Sequence, residues 1–155
     1  MPLLTPYQPE QRERVLALAL HEAQQPFVSP MAQTLSELHA RLGAHLVWHD
    51  AQIAGFFLID QDYATHYPFA QPGSVGLRSF LVDKHFQGLG LAKRCLLALP
   101  AYLQAQQIKA DAVFLTVNRK NEAAIPLYRQ CGFADTGALY LDGGYGPQHI
   151  MRLAL

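Results

Sequence analysis

The chain has 155 residues, half of them hydrophobic, with 12 Lys and Arg against 12 Asp and Glu and a formal net charge of zero. That length buries one core without disulfides or metals, and the mixture excludes disordered, collagen-like and tandem-domain readings, so residues 1–155 are expected to form a single domain. The neutral balance, without a basic stripe, argues against a nucleic-acid partner and equally offers no acidic surface to gather polycations.

Leu3 to Tyr7 reads as a first short strand, ended by the prolines at 6 and 9. Glu10 to Gln24 carries Val15, Leu16, Ala19, Leu20 and Ala23 on one helical face. A loop follows between Pro26 and Pro30. A second helix is expected from Met31 to Leu42, with Gly43 as its C-cap. The period then changes to that of strands at His45–Trp48 and Gln52–Ile59, joined by a hairpin turn at His49-Asp50-Ala51. Asp60 to Gly73 reads as a loop, and Ser74 to Val82 as the next strand. A helix runs from Gly88 to Ala105, and Pro100 should kink or break it near Leu99. Ala112 to Val117 is an apolar run suited to a strand buried on both faces. A short helix spans Asn121 to Gln130, a strand starts at Gly132-Phe133, and Gln148 to Leu153 makes the last strand. This order specifies the α/β (α+β) class, a mixed sheet covered by helices.

The stretch from Phe80 to Arg94 is the first with chemical content. A strand ends, the chain turns on Gly88 and Gly90, and an amphipathic helix begins at once. Helix starts present free N–H groups and the positive end of the macrodipole, and glycines let an anion approach the backbone. The geometry suits a phosphate. It is not a Walker loop, nor a Gly-x-Gly-x-x-Gly dinucleotide fingerprint, because the third glycine is missing. A lone Gly-x-Gly could equally be a tight turn. Downstream, Asn118 and Asn121 precede Ala124 and Tyr128, which share a helix face. An asparagine there serves equally as an N-cap. Tyr128 either packs with its hydroxyl satisfied or presents it to a ligand.

Taken together, Gln87-x-x-Gly90-x-Ala92 and Asn118-x-x-Asn121-x-x-Ala124-x-x-Leu127-Tyr128, followed by Gly132-Phe133, resemble the two signatures of the GNAT superfamily of N-acetyltransferases, in the family's order. The resemblance covers residues 74 to 153. The first 73 residues resemble the family only in their order of elements. It implies a mixed, mostly antiparallel sheet of six to seven strands flanked by about four helices, and transfer of acetyl from acetyl-CoA to an amine. By the same resemblance, Leu81 and Val82 on a bulged strand would offer backbone hydrogen bonds to the pantetheine arm. Gln87, Gly88, Leu89, Gly90, Leu91 and Ala92 would wrap the pyrophosphate. Lys93, with Lys84 or Arg94, would reach the 3′-phosphate. Asn118 and Asn121 would bind the pantetheine side, and Tyr128 would protonate the leaving thiolate. Many relatives carry a glutamate base on the strand before the first motif. Here Ser74 to Val82 holds no carboxylate, which leaves Asp60, Asp83, Glu22 or a water chain as candidates. Pro126, inside the second motif, is expected to remove a hydrogen bond or bend the helix.

Phe27, Tyr63 and Tyr145 are expected around the acceptor, together with Tyr67 and Tyr140. Gln25-Pro26-Phe27-Val28 and Gly146-Pro147-Gln148-His149-Ile150 look somewhat like segments of bacterial diamine and polyamine acetyltransferases. A small diamine or polyamine is therefore the expected acceptor, ahead of a protein or peptide amine. The alternative is a non-catalytic acetyl-CoA-binding sensor. The resemblance also allows a homodimer, by analogy only. No His or Cys spacing fits a metal site. Cys95 and Cys131 are expected as reduced thiols. No 18-residue apolar run or secretory leader is present, so the expected location is cytoplasmic, away from membranes.

Overall fold

The structure, a computed structural model, describes residues 2–155. Its strands are β1 (Leu4–Pro6), β2 (Leu42–His49), β3 (Gln52–Asp60), β4 (Ser74–Val82), β5 (Ala112–Asn118), β6 (Ala134–Tyr140) and β7 (Gln148–Ala154). Its α-helices are α1 (Arg12–Leu16), α2 (Met31–Ser36), α3 (Tyr63–His66), α4 (Leu91–Ala105) and α5 (Ala124–Gln130). The sheet order is β1-β2-β3-β4-β5-β7-β6. Among the described residues only the β4–β5 pair is parallel, joined by α4 as a crossover. The expected mixed, mostly antiparallel sheet is therefore present, with five α-helices around it among the described residues.

Strand alternation separates the core into two faces. Val47, Phe57 and Ile59 point to the side covered by α4, where Leu96, Leu99 and Leu103 meet them together with Val113, Leu115 and Phe133. Leu46, Phe56 and Leu58 point the other way, against Val15 of α1. Each such fully buried side chain contributes roughly 1.5–3 kcal/mol relative to exposure.

Three local expectations are corrected by tertiary contacts. The helix expected from Glu10 to Gln24 is broken into a 3₁₀ turn at Pro9–Gln11, α1, and a 3₁₀ segment at Glu22–Phe27. The reason lies at Ala19. Its N–H donates to Asp83 Oδ2 at 2.8 Å and its carbonyl accepts from the Lys84 N–H at 2.7 Å, so neither group is free for a helix. The helix expected to reach Leu42 stops at Ser36, because the backbones of His39 and Leu42 bond one another and Leu42 opens β2. Gly43 is thus a strand residue opposite Ile59, not a cap. The expected loop after Asp60 contains α3, whose Tyr63 ring lies where a side chain at Gly76 would have to go. Neither proline interrupts its helix. Pro126 is the third residue of α5, where no intrahelical acceptor is missed, and α4 runs continuously through Pro100.

One polar pair crosses the core. His45 Nδ1 of β2 lies 2.6 Å from Tyr102 Oη of α4, and the imidazole stacks on Phe57. Burial lowers the His45 pKa to about 4, so the ring is neutral in the fold. The unfolded chain takes up this proton at the ordinary value of 6.5. Stability is therefore full above 6.5 and declines as pH falls from there to about 4, by roughly 3 kcal/mol from this group. Urea unfolding at several pH values should show this decline in the wild type, and the paired variant His45→Leu with Tyr102→Phe should flatten it.

Candidate active site

The site is built on β4. Opposite Phe56 and Leu58 of β3 stand Leu81 and Arg78, so β4 advances three residues while β3 advances two. The extra residue forms a bulge, and Ser79 takes φ 53° within it. On its other edge β4 pairs with β5 only at Ser74–Gly76 against Ala112–Phe114. Beyond Gly76 the strands part, and a cavity of 460 Å³ is lined by Leu77–Phe80 of β4 on one side and Leu115–Asn118 of β5 on the other. A second cavity, of 340 Å³, runs from Phe80–Val82 past Gln87, Gly88 and Gly90 to α5. Phe27, Val28, Phe80, Asn121 and Tyr128 line both, so the two cavities meet at the Tyr128 ring.

The strand's alternation decides which backbone groups face the opening. The Asp83 N–H donates to the Ala54 carbonyl at 2.7 Å, which turns the polar groups of Val82 to the far edge and those of Leu81 toward Phe56. Val82 is thus the one of the two expected residues whose backbone faces the cleft. Its carbonyl accepts from Gln87 Nε2 at 2.9 Å, and the same amide donates to Gln24 Oε1 at 3.0 Å. Gln87 accordingly braces the loop against β4 and the N-terminal segment.

The loop itself fits an anionic phosphate. Gly88 and Gly90 hold φ values of 81° and 74°, and a Cβ added to either would meet nothing within 4 Å. The open space lies at the start of α4, whose first-turn amides have no intrahelical acceptor. Gly90 is its left-handed N-cap, with its carbonyl accepting from Arg94. Ala92 and Lys93 line the cavity wall, and Leu91 anchors the turn in the core at 2% exposure. Leu89, by contrast, is exposed and lies outside the lining. Lys84 and Arg94 are exposed nearby in sequence, also outside the lining.

The two asparagines divide their work. Asn118 is buried, donating Nδ2 to the Tyr145 carbonyl at 2.7 Å and accepting from the Lys120 N–H at 2.8 Å. Neither asparagine caps α5, whose N-cap position is Ala123. Asn121 lines both cavities. Tyr128 packs between Phe133 (5.6 Å between centroids) and Phe80 (6.5 Å). Burial, reinforced by the thiols of Cys95 and Cys131, pushes its pKa well above the ordinary tyrosine value. The phenol therefore keeps its proton near neutral pH and can donate it.

Phe27 and Tyr145 meet edge to face at 5.5 Å over the larger cavity, and Lys120 Nζ sits 4.9 Å above the Tyr145 ring. Tyr63 reaches the wall of that cavity from the core, stacked at 4.2 Å on Tyr67. Tyr140 contacts Tyr67 and lies outside the lining. The carboxylates considered as bases are committed elsewhere. Burial alone would raise the Asp83 pKa, but hydrogen bonds from Ala19 N–H, His85 N–H and His85 Nδ1 outweigh it and hold the group below the ordinary range. Asp60 accepts from Arg78 Nη1 at 3.1 Å and from the Asp62 N–H at 2.9 Å. Glu22 is exposed and lines neither cavity.

Sequence reasoning did not single out Gln24, Phe80 or Arg78. In the sequence Gln24 falls at a helix end and Phe80 and Arg78 fall on a strand, where the family resemblance implies a bulge without saying which side chains it turns into the cleft. No group of three or more His, Cys, Asp or Glu suited to a metal occurs among the described residues.

Residues 8–133 match the acetyltransferase (GNAT) family. Among curated proteins, the probable spermine N(1)-acetyltransferase of Bacillus subtilis subsp. natto is 41% identical over 71 residues, and the spermine/spermidine N(1)-acetyltransferase of Bacillus subtilis strain 168 is 38% identical over 71 residues, 46% of each chain in both cases. The chain thus matches about half the length of these relatives. An uncharacterized N-acetyltransferase of the same strain, YbbJ, is 28% identical over 150 residues, covering 94% of this chain and 92% of that one. Among solved structures, AAC(6')-Ib in complex with paromomycin and acetyl-CoA superposes with a TM-score of 0.75 at 14% identity, covering 98% of this chain and 92% of that one, a likeness of fold.

Replacing Asn118 with alanine should release the Tyr145 segment and lower stability by about 1–3 kcal/mol, since two part-buried hydrogen bonds to the backbone are lost. Chemical denaturation and limited proteolysis around residues 141–147 would register both effects.

Proposed function

The chain belongs to the acetyltransferase (GNAT) family, and we propose that it transfers an acetyl group from acetyl-CoA directly to a primary amine. One observation carries this reading: the parting of β4 from β5 leads from a glycine phosphate loop to a protonated tyrosine at the meeting point of two cavities. Gly88 to Ala92 receive the pyrophosphate at the start of α4, and Lys93, with Lys84 or Arg94, neutralises the 3′-phosphate. The outward backbone of Val82 bonds the pantetheine arm, with Leu81 beneath it. Asn121 lines the arm's path, and Asn118 fixes the turn that supports it.

The amine enters from the larger cavity, past Phe27, Tyr63 and Tyr145, and attacks the thioester carbonyl. A C–N bond forms, the C–S bond breaks, and Tyr128 donates its proton to the departing sulfur. An alkylamine has a pKa near 10.4, so roughly one molecule in a thousand is neutral at pH 7. With Asp60 and Asp83 already bonded, water in the polar cavity carries the amine proton away. The partial relatives named for spermine and spermidine support a small diamine or polyamine as acceptor, which makes spermidine the first amine to assay.

Calorimetric titration should give micromolar-range acetyl-CoA binding to the wild type and at least a tenfold loss in Gly90→Glu, whose side chain places bulk and negative charge in the phosphate space. Absence of binding to the wild type would overturn the reading. Tyr128→Phe should reduce kcat by about a hundredfold, the scale of general-acid catalysis, while acetyl-CoA affinity stays within about threefold. Unchanged turnover in that variant would remove Tyr128 from the chemistry, and acetyl-CoA binding without transfer to any amine would leave a sensor.

A further inference from the structure

The charges that line the larger cavity narrow the acceptor differently from the names of the partial relatives. Among the described residues lining it there is no Asp or Glu, and its one charged side chain is Arg78. The remaining polar groups are uncharged: the hydroxyls of Ser29, Ser79, Thr116 and tyrosines, and the amides of Asn118, Asn121 and Gln148. A polyamine bound here would bring a second ammonium toward a guanidinium with no carboxylate on the cavity wall to receive it.

Arg78 is held like a recognition group rather than a solvated surface charge. It stands at the bulge, immediately before Ser79, where β4 has left β5. Its Nη1 donates to Asp60 Oδ2 at 3.1 Å, and the Asp60 side chain is only 4% exposed. Asp60 is in turn fixed through its other oxygen by the Asp62 N–H. A buried carboxylate therefore anchors one end of the guanidinium, while the Arg78 side chain remains 34% exposed and lines the cavity. A guanidinium has five N–H donors in a planar fork that matches a carboxylate. The bond to Asp60 leaves donors for a second one.

We propose that the acceptor is an aminocarboxylate, whose amine faces Tyr128 at the junction of the cavities and whose carboxylate is received by Arg78. The inference rests on the acetyl-transfer reading above and replaces the diamine or polyamine acceptor given there with an aminocarboxylate. Arg78 acts as a specificity-determining residue, bonding the end of the acceptor that does not react. The chemistry is unchanged: the amine nitrogen gains the acetyl group and loses a proton, and the thiol leaves.

The test compares free amino acids and ω-amino acids with their carboxamides, which keep the amine and lose the anion, and with spermidine. Acetyl transfer is followed by thiol release. The wild type should favour the aminocarboxylate over its carboxamide by at least tenfold in kcat/KM, and favour it over spermidine. The double variant Arg78→Gln with Asp60→Asn keeps a neutral hydrogen-bonding pair in place of the ion pair and guards against an orphaned buried charge. In it the acid-to-amide ratio should collapse toward one, chiefly through KM. A wild type that uses carboxamides or spermidine as well as aminocarboxylates, or a ratio unmoved in the double variant, would overturn this inference and leave the transferase reading standing. Failure of every amine, with no acetyl-CoA binding by calorimetry, would instead overturn the transferase reading itself and this inference with it.

Discussion

The parting of β4 from β5 is the constraint on which the rest of the molecule depends. A parallel pair would ordinarily continue to the strand ends, with every amide bonded. Here the pairing stops after three residues. The extra residue at Ser79 bends β4 against β3, so the far ends of the two parallel strands cannot stay in register with each other. The sheet thereby opens without losing its core, because β3 keeps β4 on one side and β7 keeps β5 on the other along its whole length. Polar backbone exposed within a sheet needs a partner, and in the proposed function an extended ligand supplies one at the opening.

The walls of this opening are brought together by short polar clips from distant parts of the chain. Asp83 bonds Ala19, 64 residues earlier, and Gln87 bonds Gln24, 63 residues earlier. Asn118 bonds the Tyr145 carbonyl, 27 residues later. Each clip uses a buried or half-buried side chain whose donors and acceptors are satisfied locally, which is what a polar group needs to sit beside an apolar core. The N-terminal 3₁₀ segment and the C-terminal loop then meet through Phe27 and Tyr145 above the larger cavity. The same bonds weaken the carboxylate of Asp83 as a base, since they stabilise its ionised form.

Tyr128 shows how one environment serves two ends. Phe80 and Phe133 flank its ring, and its half-buried place both secures α5 to the sheet and pushes the phenol pKa above the ordinary tyrosine value. Pro126 is compatible with this arrangement because it falls in the first turn of α5, where its missing N–H is not required. Gly76 has a comparable role on β4: its lack of a side chain admits the Tyr63 ring, and Tyr63 with Tyr67 forms an aromatic wall of the larger cavity.

The sequence by itself determined the elements whose signals are local. Period-two patterning, with one continuous apolar run at Ala112–Val117, placed the strands from Leu42 onward to within a few residues, and the two glycines with the following amphipathic run placed a turn at a helix start. These are consequences of strand and helix geometry and of the freedom of glycine at positive φ, so they survive in a single chain read alone, whereas a phosphate role for that turn and the motif from Asn118 to Tyr128 rest on the family resemblance. Tertiary structure decided the rest. The helix expected across residues 10–24 broke at Ala19 because its backbone was taken by the loop at Asp83 and Lys84, a contact no local window contains. The family resemblance implies a bulge on this strand, but its position at Ser79 has no glycine to announce it. Arg78 became the one charged wall of the larger cavity because Asp60, on the neighbouring strand, holds it there. Whether a charge faces solvent, a partner or a ligand depends on what stands opposite it in space, and that is settled only when the strands have paired.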